Sequence, residues 1–336
     1  MIRELTPIRF ALCMMIFAHH AYSYSAGGAS AVAAFFVLSG FCLTLGYKER
    51  ILSGAWNYID YLKTRFAKFY PIHWITLLAF IPITWYSGSL ICDSGMFFAN
   101  FFLLQSWIPE QAYYFSYNAI AWYLSTALFA YICFPALIML LYGITRSQRM
   151  YLLIAMLFGY AIVVYAMPQE DRHAMLYVHP VCRCLDFVVG IYLAELYSAI
   201  RIERIAKYEW LIDMGLILSF VILNLIGIRL TADMRLIGAY FWLPACGLIL
   251  CTCVASKIQS PLSKLLSSSV IQIATACSFS LMMWHKCVIR LLRILHVTDG
   301  LWGMLLLFVV AYAVAMISYL IIEKRLTPWI LCKIKK

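Results

Sequence analysis

Residues 6–24 read TPIRFALCMMIFAHHAYSY, and the rest of the chain is understood from this stretch. It is long and apolar enough to cross a membrane, yet it carries Arg9 and the pair His19 and His20. Ionisable groups are costly in hydrocarbon, so their presence there marks a functional site by default. At about 100° per residue, the eleven positions from Arg9 to His20 bring both within roughly 20° of one helix face. At about 1.5 Å rise per residue they stand roughly 16 Å apart along the axis. His19 falls about 80° off that face, a supporting or packing position. One stripe therefore carries a fixed cation near the membrane edge and a titratable base deeper in.

The surrounding chain is equally apolar: 65% of its 336 residues are hydrophobic, 12% are charged, and the mean hydropathy is +0.87. A soluble domain has no place for that much apolar surface, so the sequence predicts an all-α polytopic membrane protein. Apolar runs of spanning length fall near 6–24, 28–47, 69–87, 119–143, 150–167, 179–199, 209–227, 236–255, 269–293 and 302–322. That is ten helices, each near the roughly 20 residues a hydrocarbon core requires. The run 96–109, MFFANFFLLQSWIP, is shorter and reads as a re-entrant or interfacial helix. No soluble domain, linker or low-complexity tract interrupts the pattern, so residues 1–336 form one membrane-embedded domain. The first segment lacks a small-residue cleavage site and a second follows at once, which argues against a signal peptide. Internal repeats are not evident, which counts against transporter folds built from inverted halves.

The net charge of +11 is mostly topology. With the N-terminus in the cytoplasm, about eighteen of the 26 basic residues fall in inside segments, including Lys48, Lys63, Arg146, Arg201, Lys324 and Lys333 to Lys336. Outer loops carry Asp93, Glu110, Glu170, Asp171 and Asp299. Both termini are thus expected in the cytoplasm, and a nucleic-acid partner is set aside. Most of the twelve cysteines lie inside apolar runs, where a thiol is a small hydrophobe, and the spacings do not point to a metal.

Several polar residues interrupt the apolar pattern. Ser39 and Gly40 end FFVLSGF (35–41), where small residues permit helix packing or a ligand against the backbone. In YLKTRFAKFYPIH (61–73), Arg65 and Lys68 lie three apart ahead of the aromatic-proline entry to a helix. They read equally as topogenic charge or as a phosphate cluster. Trp122 and Ser125 sit in AWYLST (121–126), an interfacial aromatic anchor or a surface for a sugar. Arg183 and Asp186 are spaced to neutralise each other or to orient part of a site. His285 follows Trp284 in CSFSLMMWHK (277–286), and Glu323 stands beside Lys324 and Arg325 with either as a partner.

Taken in order, these elements resemble the integral-membrane acyltransferase-3 family, whose members O-acylate, most often O-acetylate, carbohydrates. The resemblance runs through Arg9 to His20, FFVLSGF at 35–41, Arg65, Lys68, Tyr70 and Pro71, the leucine-rich run ending in QSW at 103–107, and Trp122 to Ser125. It continues through Arg183 to Gly190, Ser278 to His285, and Ile322 to Lys324. Each element is weak alone; eight in order cover nearly the whole chain. The resemblance implies acetyl-CoA, or another acyl-CoA such as succinyl-CoA, as donor on the cytoplasmic side. It implies a lipid-linked or exported carbohydrate as acceptor, and a bacterial inner membrane as the location. Arg65 and Lys68, with Ser39 and Gly40, are then expected at the donor, with Arg9 guiding it inward. His20 is expected as general base. Trp122, Ser125, Arg183, Asp186 and His285 fall to the acceptor side, with His19 and Glu323 in support. Membrane lipids are the surroundings, and self-association is left open. The family pattern places a glutamate where this chain has Ala127. Another acid substitutes, this branch does not need it, or activity is reduced. No extension with a Gly-Asp-Ser nucleophile is present, so transfer is expected to finish within the membrane unit. A glycolipid transporter or flippase, and a catalytically lapsed relative, are the alternative readings.

Overall fold

The computed structural model describes residues 2–22, 27–88 and 93–334. Ser23 and Tyr24 of the first expected span, and Lys335 and Lys336 of the basic C-terminal run, lie outside them. The described residues form helices with no strand. The principal ones are α1 (Leu5–Tyr22), α2 (Gly28–Leu52), α3 (Tyr58–Tyr86), α4 (Ser94–Phe101), α5 (Ala121–Tyr142) and α6 (Arg146–Ala166). They continue as α7 (Pro180–Ala199), α8 (Glu209–Arg229), α9 (Ala239–Ile258), α10 (Ser278–Ile294) and α11 (Gly300–Ser318). The protein is an all-α polytopic membrane protein.

Seven helices among the described residues are long and apolar enough to cross a membrane: α2, α3, α5, α6, α9, and the stretches Ile202–Arg229 and Gly300–Ile334. The three expected spans outside that set are α1, α7 and α10. Each is interrupted by polar side chains: Arg9, His19 and His20; Arg183, Asp186 and Glu195; His285, Lys286 and Arg290. The groups that lower their hydropathy are those that make them candidates for function.

Three boundaries differ from the sequence reading, each for a physical reason. Helix α3 begins at Tyr58 rather than at 69, because Asn57 caps it by accepting from the Asp60 N–H at 3.0 Å. Lys68 is therefore a helix residue projecting into the body, not part of a loop ahead of it. The run 269–293 is two helices, Ser269–Thr275 and α10, broken at Ala276 and Cys277. Beyond α11 the chain widens into a π-helical stretch, Tyr319–Leu326.

Helices α2 and α7 cross backbone to backbone. A Cβ on Gly40 would meet the Phe187 carbonyl oxygen at 2.0 Å, and one on Gly190 would meet that of Val37 at 2.0 Å. Small residues allow such approach between membrane helices. Gly40 is thus spent on packing, not on a ligand. By contrast, α6 has no buried residue and stands at the periphery. The run at 96–109 is not a span: α4 is capped by Asp93, whose Oδ1 accepts from the Met96 N–H at 2.7 Å. Its last carbonyls, of Asn100, Phe101 and Phe102, accept from His73, Trp74 and Tyr70 of α3. A helix ending against the protein needs such partners for its orphan carbonyls.

Candidate active site

Three cavities lie in series along α1. The first, about 510 Å³, is lined at its polar wall by Thr6, Arg9, Lys68, Gln272, Glu323 and Lys324; it is termed here the basic chamber. The second is a constriction of about 80 Å³ bounded by Arg9, Ser39, Lys68, Tyr123, Tyr131 and Met282. The third, the histidine chamber, holds about 410 Å³ among His19, His20, Trp122, Tyr123, His173 and Lys286. Arg9, Lys68, Ser278 and Phe279 line the first two, and Tyr123 and Met282 line the last two, so the three form one path. The stripe of α1 carrying Arg9 and His20 is its spine.

At one end of that spine, the His20 ring stacks on His285, centroids 5.4 Å apart and planes 21° apart. His285 is fully buried, and its Nδ1–H donates to the Leu281 carbonyl at 3.0 Å. That bond fixes the tautomer and leaves Nε2 as the bare nitrogen. His19 shares the chamber instead of pointing away: its ring meets that of His20 at 4.9 Å. Near the end of a helix, side chains 100° apart straddle a wide cavity. Gly28 makes room for it, since a Cβ there would sit 3.0 Å from the His19 ring.

At the constriction, Arg9 Nη2 donates to Cys42 Sγ at 3.1 Å, tying α1 to α2. Lys68 lies with its Nζ 5.7 Å from the Phe279 centroid. Ser39 Oγ accepts from the Tyr131 hydroxyl at 3.2 Å. Ala127 stands four residues from both Tyr123 and Tyr131, on the helix face that lines the constriction. The acid expected there would stand between those two tyrosines on the same helix face. Among the described residues, the one carboxylate lining the three cavities is Glu323. It does not pair with Lys324 or Arg325. It accepts from the Ser280 hydroxyl at 2.6 Å and the Ser280 N–H at 3.2 Å, in the first turn of α10. A carboxylate belongs at a helix N-terminus, and the π-helical widening of 319–326 delivers this one.

Other expected site residues stand behind the wall. The Arg65 guanidinium is caged by the rings of Tyr47, Tyr61 and Tyr131 at 5.3, 5.2 and 5.9 Å, and donates to the Tyr47 hydroxyl at 2.8 Å. Its charge steadies Tyr131 and is not presented to the path, so of the basic pair only Lys68 reaches a cavity. Arg183 and Asp186 form a buried ion pair at 2.9 Å, with the guanidinium 5.2 Å from the rings of Phe36 and Tyr177. Gly238 closes over the pair, for a Cβ there would strike Asp186 Oδ1. The pair neutralises itself and buttresses Tyr177, a wall of the histidine chamber. Ser125 accepts from the Ser106 N–H at 3.4 Å and so fastens the QSW turn to α5, while Trp122 lines the chamber.

The sequence reading did not single out Tyr131, His173, Tyr177 or Lys286. Tyr123 and Tyr131, eight apart on one helix face, were a periodic signal; Lys286 beside His285 was another. His173 had none, because a π-helical turn, His173–Val178, brings it in from the segment joining α6 and α7. Its Nδ1 bonds the Tyr114 hydroxyl at 2.9 Å, and burial holds its imidazole below the ordinary histidine range.

The fold and this path define a membrane protein with a polar conduit joining two chambers. The acyltransferase-3 family model, described as an acyltransferase domain, matches residues 3–323, and the chain belongs to that family. It is similar to the acyltransferase MdmB of Streptomyces mycarofaciens, 28% identical over 188 residues, which cover 50% of this chain and 46% of MdmB. The match spans about half of that relative. No solved structure matches the chain.

Proposed function

We propose that the protein moves an acyl group, acetyl in the first instance, from acyl-CoA to a hydroxyl of a cell-surface or exported carbohydrate. The observation that carries this reading is the continuity of the basic chamber, the constriction and the histidine chamber along one face of α1. Both termini face the cytoplasm of a bacterial inner membrane, so the basic chamber receives the donor. Lys68 and Arg9 meet the negative charge of CoA, and the pantetheine arm threads the constriction. An opening this narrow suits a slender chain; it does not suit the passage of a glycolipid, which favours transfer over transport.

In the histidine chamber, neutral His20 takes the proton of the acceptor hydroxyl as its oxygen attacks the thioester carbonyl. The Tyr123 hydroxyl, on the wall shared with the constriction, donates to the oxyanion. The C–S bond breaks as the C–O ester is completed, and His20 returns the proton to the departing thiolate. Trp122 and Tyr177 offer ring faces to a sugar.

The test is His20→Ala in purified protein given radiolabelled acetyl-CoA and surface polysaccharide precursors. Loss of CoA release with an unchanged melting temperature is expected, and near-normal turnover would sink the proposal. Acceptor translocation without CoA release would establish a transporter.

A further inference from the structure

The histidine chamber holds a cation, Lys286, for which the described residues supply no acidic partner. Lys286 follows His285 on α10 and lines the chamber with His19, His20 and Trp122. No aspartate or glutamate lines that chamber among the described residues, and none lies within ion-pair distance of Lys286. Its helix neighbours four and seven residues on are also basic but are engaged elsewhere. Arg290 donates to Ser87 Oγ at 3.1 Å. Arg293 donates at 3.1 Å to the carbonyls of both His20 and Ala21, closing the C-terminal end of α1. The stripe therefore holds two structural arginines and one lysine open to the cavity. In the proposed topology all three are on the outer side, against the bias that keeps basic residues inside.

An ammonium group partly withdrawn from water beside a base needs a counter-charge, and the chamber's own walls supply none. We infer that the ligand of the histidine chamber supplies it: the acceptor bears an anionic group, carboxylate or phosphate, close to the hydroxyl that is acylated, and Lys286 holds it. This rests on the acceptor occupying that chamber, as proposed above. The ion pair would orient the sugar on the Trp122 side and bring one hydroxyl to His20. A compact ammonium takes either anion as a point charge, which suits a uronic acid or a sugar phosphate alike. A neutral sugar would leave the lysine unpaired, and that difference is the source of the selectivity.

Saturation-transfer NMR titration of the full chain in phosphatidylcholine nanodiscs tests this with methyl glucoside, methyl glucuronide and glucose 6-phosphate. At least one anionic sugar is expected to bind about tenfold or more tightly than methyl glucoside, and which one identifies the anion. Lys286→Gln should erase that preference while leaving methyl glucoside binding unchanged, and Lys286→Arg should keep it. Equal binding of all three sugars, or a preference that survives Lys286→Gln, would overturn the inference. CoA release is measured separately with labelled acetyl-CoA. Anion preference without CoA release keeps this site and removes the transferase reading; CoA release with a neutral acceptor and no preference does the reverse.

Discussion

The two chambers along α1 are of similar size, about 510 and 410 Å³, but they are built differently. The basic chamber is flanked by a broken helix and a π-helical stretch, and its Lys68 is set against Glu323. The histidine chamber is walled by aromatic rings and imidazoles, with one lysine and, among the described residues, no acid. An environment containing both signs tolerates a polyanion that must come and go. A chamber of stacked rings with a single charge holds one ligand in one pose. Under the proposed function the difference is a division of labour, with charge handled at one end and orientation and proton transfer at the other. The constriction of about 80 Å³ keeps the two apart.

The sharpest way to break this division is at His20. If proton transfer belongs to the histidine chamber alone, His20→Ala lowers kcat about 10²- to 10⁴-fold, as removing a general base does, and leaves acyl-CoA binding unchanged. Equilibrium binding of a non-hydrolysable acyl-CoA analogue reads the second half; a tenfold loss of donor affinity would show that the chambers are not separate. The next effect is structural. Gly190→Val pushes a side chain into the Val37 carbonyl, where even a Cβ has 2.0 Å, and this should cost about 1–3 kcal/mol, perturbing α2 and both cavities it walls. Thermal unfolding measures the loss, and a variant as stable as the parent would refute the close crossing.

Much of this was legible in the sequence because the costly residues stand out. Arg9 and His20 in an apolar run, spaced to one face, led to the path itself. The all-α class followed from hydropathy alone. What was not legible depended on tertiary contacts. Lys68 and Arg65 look alike as i,i+3 neighbours, yet helix phase turns one to the cavity and the other into a cage of tyrosines. The Arg183 and Asp186 pair has the spacing of a site, but its neutralisation was sealed by Gly238, more than fifty residues away. Glu323 seemed destined for an adjacent lysine or arginine and instead found the first turn of α10. Local sequence names the charged groups; only the fold decides which of them meet a ligand.

A smaller effect tests that distinction directly. Lys68→Met should raise the KM for acyl-CoA about tenfold with kcat little changed, since it removes a contact made alike in ground and transition states. Lys68→Arg should recover most of it. An equal fall in kcat, with KM untouched, would place Lys68 in the chemistry and blur the division between the chambers.

The smallest expected effect is a pH dependence in the segment joining α6 and α7. Half-buried His173 has a pKa held by desolvation below the ordinary value of about 6.5, while the unfolded chain titrates near that value. As pH falls through the unfolded pKa, the unfolded chain takes up a proton that the folded chain does not, so stability decreases with acidification. The slope is at most about 1.4 kcal/mol per pH unit for one group, and it ends once pH drops below the folded pKa. The melting temperature should therefore decline between about pH 7 and 5.5, and His173→Gln should flatten that decline in part. The same substitution weakens the Tyr114 contact, so acceptor KM should rise while acyl-CoA KM stays fixed. A change in donor KM instead would show that the two chambers communicate across the constriction.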